Sequence, residues 1–395
     1  MAHIAMFSIP APGHVLPSLD LIGELVRRGH RVTYANDPSM RATIEPTGAE
    51  FRAYDSVLPK IGAAAGTDDA EAYGGDVIDQ LSLFADEYEN QLPRWFRLYE
   101  DDRPDLILYD IAGAMSVVLA RTWGVPTLQV SPTYVAWEGY DEDMADFHTM
   151  LRTDPRGVAM LARQDALLAR HGIHEDSLRF LGGPERSLVL IAPSMQPNAD
   201  RVDRSVYTFT GPARSIPEAP SGDRDRRTTL LVSFGSAFTD QPTTYRAACD
   251  LAAQRPDWRV ILQVGGRTEP STVTASDGSV PPNVEVHPWI DQVAALQETD
   301  VFLTHAGMGG ASEAMLTGTP VVTAPQAADQ FENATMLAAA GIAVPIPEEL
   351  SATMLGAACD AALALTGRAE DLAAELAELG GLARAVEVVE ARLPA

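Results

Sequence analysis

Two residues that could carry out acid–base chemistry follow separate apolar runs of the chain. His14 lies in "SIPAPGHVLPSLDLIGELV", a few residues after a short apolar run. Asp110 ends the apolar run "PDLILYD". A neutral imidazole can act as a general base, and a carboxylate beside it can fix its tautomer and stabilise the imidazolium that forms. The pair would suit the removal of a proton from a hydroxyl group.

Each of these two residues also has a purely structural interpretation. His14 could satisfy only the hydrogen bonds of its own loop, and Asp110 could be the N-cap of a helix. A helical pattern begins just after His14, with Pro17 and Ser18 in its predicted first turn. Because the positive end of a helix disfavours imidazolium, we expect His14 to stay neutral.

A glycine-rich stretch in the second half of the chain indicates a phosphate site. "THAGMGGASEAM" follows the apolar run "DVFL" and begins a helical pattern. Gly307, Gly309 and Gly310 would let a diphosphate approach the backbone at a helix N-terminus. Ser236, in "VSFGSAF", ends another apolar run and could reach a second phosphate oxygen. The alternative is a glycine-rich turn that serves packing alone, and as a dinucleotide fingerprint the GxGGxS pattern is weak.

Trp289, in "VHPWIDQ", also follows an apolar run, where it could stack on a nucleobase or belong to the core. The sequence contains no HExxH, Walker A or GxSxG motif. Cys249 and Cys359 have no CxxC spacing, and we expect both to be small buried hydrophobic side chains.

Ten apolar runs that alternate with helical patterns must position these residues, five in each half of the chain. The runs are "HIAMFSI", "RVTYA", "PDLILYD", "PTLQVS" and "SLVLIA", then "TTLLVSFGS", "WRVILQVGG", "NVEVHPW", "DVFLTHAG" and "TPVVTAPQ". This alternation predicts an α/β protein with two Rossmann-like, doubly wound domains that face each other across a cleft. The expected boundaries are residues 1–212 for the first domain, 213–227 for a linker rich in Pro, Ser and charge, 228–380 for the second domain, and 381–395 for a C-terminal helix that packs back on the body.

Composition narrows the class of protein. Of the 395 residues 46% are hydrophobic and 21% are charged, and the formal net charge is -26. Such a chain is typical of a globular protein and is an unlikely partner for nucleic acid or an anionic membrane. No signal-peptide pattern is present and no run approaches the ~18 apolar residues of a membrane span. We expect a cytoplasmic enzyme or binding protein, either a monomer or a homodimer.

Along nearly its whole length the chain resembles the family-1 glycosyltransferases of GT-B fold, and most closely their bacterial macrolide branch, which inactivates antibiotics by glucosylation. The segments that carry the resemblance are "HIAMFSIPAPGHVLPSLDLIGELVRRGHRVTYA", "WGVPTLQVSPTYVAWEGY", "SLVLIAPSMQPNADRV", "VSFGSAF", "NVEVHPWIDQVAAL" and "THAGMGGASEAMLTGTPVVTAPQAADQFENA". The last two match the family's nucleotide-sugar signature.

The resemblance implies an inverting transferase that moves glucose from UDP-glucose to a hydroxyl group of a hydrophobic natural product, such as a macrolide or a polyphenol such as a flavonoid. His14 would then be the general base and Asp110 would orient it. A transferase of dTDP-deoxysugars in antibiotic biosynthesis is the alternative within the fold, and a nucleotide-sugar epimerase is another. Three alternatives do not involve glycosyl transfer by this chain. They are a non-catalytic partner of another transferase, a module that sequesters a ligand, and an NAD-dependent oxidoreductase.

The resemblance also implies the contacts of the donor. Uracil would contact Trp289 and the backbone of Ile290, and ribose would contact Gln292 and Glu313. The diphosphate would bind at Ser236, His305, Gly307, Gly309 and Gly310. The sugar hydroxyls would bind to Asp329 and Gln330. No metal or other cofactor is expected if His305 and helix dipoles take the leaving charge. Asp291 stands where plant relatives usually have proline, and Met308, Gly309 and Gly310 replace their Trp-Asn-Ser, as in the bacterial branch.

The acceptor is expected on the first domain, where residues 56–90 and 131–147 look irregular and are rich in aromatic side chains. Such a pocket would suit a large apolar molecule. The expected acceptor-binding residues are Pro59, Tyr73, Phe84, Ile111, Ser131, Tyr134 and Trp137. The alternative for each of them is a place in the ordinary core. Pro12 stands where macrolide enzymes often carry a second histidine, and this difference bears on the acceptor side.

Overall fold

The computed structural model describes residues 1–59, 75–217, 227–236, 238–266, 268–327, 329–346 and 350–394. The chain divides into two compact units. Unit 1 comprises Met1–Arg214 together with Gly380–Ala395, and unit 2 comprises Ser215–Leu379. Most of the predicted linker, residues 218–226, lies outside the described residues.

The described residues of unit 1 form a parallel sheet of seven strands. The strands are β1 His3–Phe7, β2 Arg31–Asn36, β3 Glu50–Ala53, β4 Leu106–Asp110, β5 Thr127–Ser131, β6 Ser187–Val189 and β7 Tyr207–Phe209. Their order is β3-β2-β1-β4-β5-β6-β7, and neighbouring strands pair in parallel. The order reverses between β1 and β4, which is the place where open sheets of this kind bind ligands.

Helices cover the sheet of unit 1. They are Pro12–Val15, Leu19–Arg27, Arg41–Ile44, Val77–Tyr99, Ser116–Trp123, Tyr140–Asp143, Ala145–Thr153, Pro155–Ala169, Ser177–Gly182 and Gly381–Glu390. A 3-10 turn, Leu16–Ser18, joins the first two. In the C-terminal helix Ala385, Val386 and Val389 are fully buried and pack in one core cluster with Ile4 and Leu25. The end of the chain therefore completes the core of unit 1.

The expectation of an irregular chain over residues 56–90 is wrong from Val77 onward. A helix of 23 residues, Val77–Tyr99, occupies this region. It begins at a capping box, in which the Asp76 side chain accepts from the amides of Ile78 and Asp79 while the Asp79 side chain accepts from the amide of Asp76. This reciprocal capping satisfies amides that a helix start leaves without partners.

In unit 2 the part of the chain that the structure describes forms a parallel sheet of six strands. The strands are β8 Thr228–Ser233, β9 Trp258–Gln263, β10 Val284–His287, β11 Val301–Thr304, β12 Val321–Thr323 and β13 Ala343–Pro345. Their order is β10-β9-β8-β11-β12-β13, so the order reverses between β8 and β11. The helices are Pro242–Gln254, Gln292–Leu296, Met308–Thr317, Gln330–Ala339, Ala352–Leu363 and Thr366–Ala377.

The predicted class, α/β with two Rossmann-like parallel sheets, is confirmed. All ten predicted strands are present, and three further strands, β3, β7 and β13, stand at or near sheet edges. Cys249 and Cys359 are fully buried in the core of unit 2, as predicted. None of the helices in the described ranges has the length and apolar character needed to cross a membrane.

Candidate active site

His14 and Asp110 meet at the point where the strand order of unit 1 reverses. His14 follows β1, Asp110 is the last residue of β4, and Nδ1 of His14 is hydrogen-bonded to Oδ2 of Asp110. The His14 side chain is 25% exposed, whereas Asp110 is buried. Because a carboxylate can only accept, Nδ1 carries the proton in the neutral imidazole, and Nε2 then carries the lone pair. None of the described residues hydrogen-bonds to Nε2, which is therefore available to take a proton from a ligand.

The structure excludes the capping alternative for Asp110. This residue stands at the N-cap position of the 3-10 turn Ile111–Gly113, but its side chain makes no capping hydrogen bond. The turn packs closely on the end of β1, since a Cβ at Gly113 would lie 2.6 Å from the carbonyl oxygen of Phe7. The prediction that His14 precedes its helix is wrong by a few residues. Helical backbone begins at Pro12, so His14 lies within the first turn.

Asp110 acts on His14 in the direction opposite to the helix effect that the sequence indicated. Burial lowers the pKa of His14, but the charge of Asp110 and its hydrogen bond raise that pKa by more, so it lies above its ordinary value of about 6.5. A full carboxylate charge in hydrogen-bond contact outweighs the partial charge of a helix end. His14 thus becomes a free base only at a pH above this raised pKa.

A buried polar network that the sequence reasoning missed holds the segment between β1 and His14. Nδ2 of Asn36, which is fully buried, donates to the carbonyl oxygens of Ser8 at 3.1 Å and Ile9 at 3.3 Å. The hydroxyl of Tyr34 lies 2.9 Å from Oγ of Ser8 and 3.2 Å from Oγ of Ser18. The available signal was Asn36, an amide that directly follows the predicted strand "RVTYA", with the hydroxyl of Tyr34 inside that strand.

Three of the expected acceptor residues lie near this pair. Phe84, on the helix Val77–Tyr99, packs against a small apolar cluster formed by Ile9, Ala11, Leu58 and Ala112. Ile111 directly follows Asp110 and is half-buried. Ser131 ends β5 beside β4, is fully buried, and donates from Oγ to the carbonyl oxygen of Thr133 at 2.8 Å. The apolar cluster therefore connects the segment before His14 with the residues after Asp110.

The other expected acceptor residues have different surroundings. Nε1 of Trp137 donates to Oδ2 of Asp143 at 2.7 Å, and its ring meets Tyr140 edge-on with centroids 4.9 Å apart. Pro59 and Tyr134 are half-buried. Tyr73 lies outside the described residues.

His305 occupies the corresponding switch point in unit 2, but its surroundings are apolar. It follows β11, and a Cβ at Gly307 would lie 2.5 Å from its Nε2 while a Cβ at Gly235 would lie 2.9 Å from its Cε1. The rings of Phe234 and Phe238 have centroids 6.3 and 6.1 Å from that of His305. Burial lowers the pKa of His305 to about 4. At pH 7 this imidazole can donate a hydrogen bond, but it brings no positive charge to a leaving group.

The amides after His305 form an anion-binding geometry. The helix Met308–Thr317 begins here, with Gly307 at its N-cap and no side chain capping its first turn. A Cβ at Gly309 would meet nothing within 4 Å, so packing does not require glycine there, in contrast to Gly307. Ser236 is exposed in the loop after β8. A helix start with free amides at a switch point is a favourable place for a phosphate group.

The structure brings the expected ribose-binding pair together. Nε2 of Gln292 donates to Oε2 of Glu313 at 2.7 Å. Trp289 is 60% exposed, which excludes the core alternative for it, and Ile290 is half-buried. Asp291 accepts from the amide of Ala294 at 3.2 Å and thereby caps the helix Gln292–Leu296. The residue that replaces the proline of plant relatives is thus a helix cap.

Asp329 and Gln330, expected to bind the sugar, have different surroundings. Asp329 is exposed at the N-cap of the helix Gln330–Ala339. Gln330 is buried, and its Oε1 accepts from the amides of Gln326 at 2.8 Å and Ala327 at 3.2 Å. The oxygen of Gln330 therefore holds the preceding loop, and Asp329 is the exposed member of the pair.

Comparisons with known proteins identify the family. A model of the UDP-glucoronosyl and UDP-glucosyl transferase family matches residues 220–364, a range that includes all eleven expected donor positions. The oleandomycin glycosyltransferase of Streptomyces antibioticus is 44% identical over 100% of this chain and 91% of its own length. The chain belongs to the family-1 glycosyltransferases. The demethyllactenocin mycarosyltransferase of Streptomyces fradiae is 28% identical to this glycosyltransferase. The alignment covers 100% of this chain and 87% of the length of the mycarosyltransferase.

A solved structure supports the same assignment. The glycotransferase of kitacinnamycin superposes with a TM-score of 0.88 at 42% identity, covering 100% of this glycosyltransferase and 99% of its own chain. The GT-B fold expected from the sequence is thereby confirmed.

Proposed function

We propose that this glycosyltransferase moves glucose from UDP-glucose to a hydroxyl group of a hydrophobic natural product, with inversion at the anomeric carbon and His14 as general base. The observation that carries the proposal is the His14–Asp110 hydrogen bond, which leaves Nε2 of a partly exposed imidazole free to accept a proton. The family membership supplies the reaction class.

The proposed step is a single displacement. Nε2 of His14 takes the proton of the acceptor hydroxyl while that oxygen forms a bond to the anomeric carbon. The bond from this carbon to the diphosphate oxygen breaks, and UDP leaves with the electron pair. Asp110 stabilises the imidazolium that forms. General base catalysis of this kind contributes about 10²- to 10⁴-fold to the rate.

Unit 2 would bind the departing UDP. Trp289 offers an exposed indole face for uracil, and the Gln292–Glu313 pair offers an amide and a carboxylate for ribose. Backbone amides at the start of the helix Met308–Thr317 would carry most of the electrostatic stabilisation, since His305 is neutral at pH 7. We therefore expect turnover to persist in the presence of EDTA.

The surroundings of the His14–Asp110 pair support a hydrophobic acceptor. Ile9, Ala11, Leu58 and Ala112 form a buried apolar cluster beside the pair, and Phe84, which is partly exposed, packs against this cluster. The similarity to an oleandomycin glycosyltransferase makes a macrolide the first acceptor to test. Glucosylation of an antibiotic would also give its host resistance to that antibiotic.

A dTDP-deoxysugar donor is the second candidate. It is favoured by the full-length similarity to a mycarosyltransferase. The two candidates share the base and the diphosphate loop. They differ in the transferred sugar, in the methyl group of thymine and in the 2′-hydroxyl group, which the deoxyribose of dTDP lacks.

Mass spectrometry of the reaction products tests the proposal. The protein is incubated with oleandomycin or a flavonoid and with either UDP-glucose or a dTDP-deoxysugar, beside His14→Ala. Addition of one hexose from UDP-glucose, absent with His14→Ala and of inverted anomeric configuration by NMR, supports the proposal. Product from the dTDP-sugar alone supports the second candidate. If no product forms and UDP does not bind, both the donor assignment and the proposed reaction are contradicted.

A further inference from the structure

One buried side chain, Asn333, joins the two loops of unit 2 that would hold the diphosphate and the sugar. It lies in the helix Gln330–Ala339 and is fully buried. Its Nδ2 donates to the carbonyl oxygen of Ala306 at 2.9 Å and to Oδ2 of Asp329 at 3.0 Å. The amide nitrogen has two hydrogens and both are used. A side chain with a single donor hydrogen can keep only one of these contacts.

The first contact holds a strained turn. Ala306 lies between His305 and Gly307 and has a φ of +62°, in the left-handed region that residues with a Cβ avoid. Its amide donates to Oγ1 of Thr304 at 3.2 Å, so both polar groups of its backbone are held by side chains. This turn determines where the His305 ring and the first amides of the helix Met308–Thr317 point.

The second contact restrains an exposed carboxylate. Asp329 precedes Asn333 by one helical turn, and the hydrogen bond engages Oδ2. The carboxylate is thereby held at the N-cap of its helix, where the alternative partners are solvent and ligand.

We infer that Asn333 is a positioning residue for the sugar nucleotide, because it fixes the diphosphate-binding turn relative to the sugar-binding carboxylate. The inference rests on the proposed donor site and adds to it a residue that does not touch the donor. Such a residue acts through Ala306 and Asp329, so its loss affects donor binding more than proton transfer.

Asn283 provides a matched control. It is also buried in unit 2, and its Nδ2 donates to the carbonyl oxygens of Ala252 at 3.1 Å, Arg255 at 3.1 Å and Trp258 at 2.9 Å. It precedes β10 at the amino end of the strand, whereas the two loops that Asn333 joins follow the carboxyl ends of β11 and β12. Removing Asn283 therefore costs stability without disturbing those loops.

The experiment measures the Kd for UDP by calorimetry and the KM for UDP-glucose in the full chain. We expect Asn333→Ala to raise both by about 10-fold, as expected for misplaced binding groups, with the acidic limb of the pH–rate profile unmoved. Asn283→Ala lowers the melting temperature but leaves both values unchanged. Asn333→Ser retains one donor hydrogen, so its Kd and KM should lie between those of Asn333→Ala and the unaltered chain. This variant replaces Asn333→Ala in the experiment if Asn333→Ala does not fold.

Ala306→Gly separates the two contacts of Asn333. Glycine adopts positive φ without strain, so the turn then depends less on Asn333. In the Ala306→Gly background, Asn333→Ala should raise the Kd for UDP by a smaller factor. The KM for UDP-glucose should still rise, and by a larger factor than this Kd. Equal UDP affinity and equal KM in Asn333→Ala and the unaltered chain would overturn the inference. Equal losses in Asn283→Ala would also overturn it. Failure of the unaltered chain to bind UDP would instead contradict the proposed function itself.

Discussion

His14 and His305 have similar positions in their units but opposite electrostatic surroundings. Each follows a buried strand at the point where the strand order reverses, and each lies at the start of a helix. The strand beside β1 ends in Asp110, whereas the strand beside β11 leads to Phe234 and Gly235. The pKa of His14 is raised, and that of His305 is lowered to about 4. The residue at the end of the neighbouring strand therefore decides what a histidine at this position can do.

This difference divides the chemistry between the units. A histidine with a carboxylate partner can take up a proton and hold it, which a general base requires. A histidine enclosed by glycine and phenylalanine remains neutral and can only donate or accept a hydrogen bond. We therefore assign proton transfer to unit 1 and donor binding to unit 2.

Removal of His14 should have the largest effect. His14→Ala is expected to lower kcat by about 10²- to 10⁴-fold, because it removes the base, while the Kd for UDP stays unchanged. Steady-state kinetics and calorimetry measure the two quantities on one preparation. His174→Ala is the control, since His174 is exposed, and it should leave both unchanged. A His14→Ala enzyme with nearly full turnover would show that another group removes the proton.

Removal of Trp289 should affect unit 2 alone. Stacking of a base on an aromatic ring is worth about 1–3 kcal/mol, so Trp289→Ala should raise the Kd for UDP by about 5- to 160-fold. Because Trp289 is 60% exposed, the melting temperature should not change. An unaltered Kd in calorimetry would mean that uracil binds elsewhere.

Two glycine substitutions sharpen the account of the His305 environment and should have the smallest effects. Gly307→Ala places a Cβ 2.5 Å from the His305 ring and should cost about 1–3 kcal/mol of stability, whereas Gly309→Ala meets nothing and should cost none. Both should weaken UDP binding, the first by displacing His305 and the second by blocking the approach of the diphosphate. Denaturant unfolding and calorimetry separate the two causes. If Gly309→Ala leaves UDP affinity intact, the diphosphate does not approach the backbone there.

The strands and the chemically active residues at their ends could be predicted from the sequence for a local reason. Central strands of a parallel sheet are buried on both faces, so they appear as continuous apolar runs. The edge strands β3 and β13 are less buried, so neither produced such a run. Residues that follow a predicted strand could then be placed at one edge of the sheet, and this brought His14 and Asp110 together.

The contacts that hold the site could not be predicted in this way. Asn36 and Asn333 act on segments 27 residues away in the chain, and no local pattern specifies such a hydrogen bond. The left-handed conformation of Ala306 is equally invisible, because alanine is not a residue that signals positive φ. The inward turn of Gln330 and the raised pKa of His14 likewise depend on neighbours that only the folded chain supplies.

The pH dependence of kcat/KM tests the central comparison most directly, measured for the unaltered chain, Asp110→Asn and His305→Gln. Because a base must be unprotonated, activity should rise as the pH passes upward through the pKa of His14, with a midpoint above about 6.5. Asp110→Asn removes the charge but leaves the burial, so we predict that the midpoint falls below that value while His305→Gln leaves it in place. A midpoint that is unmoved in Asp110→Asn, or that moves in His305→Gln, would contradict the account.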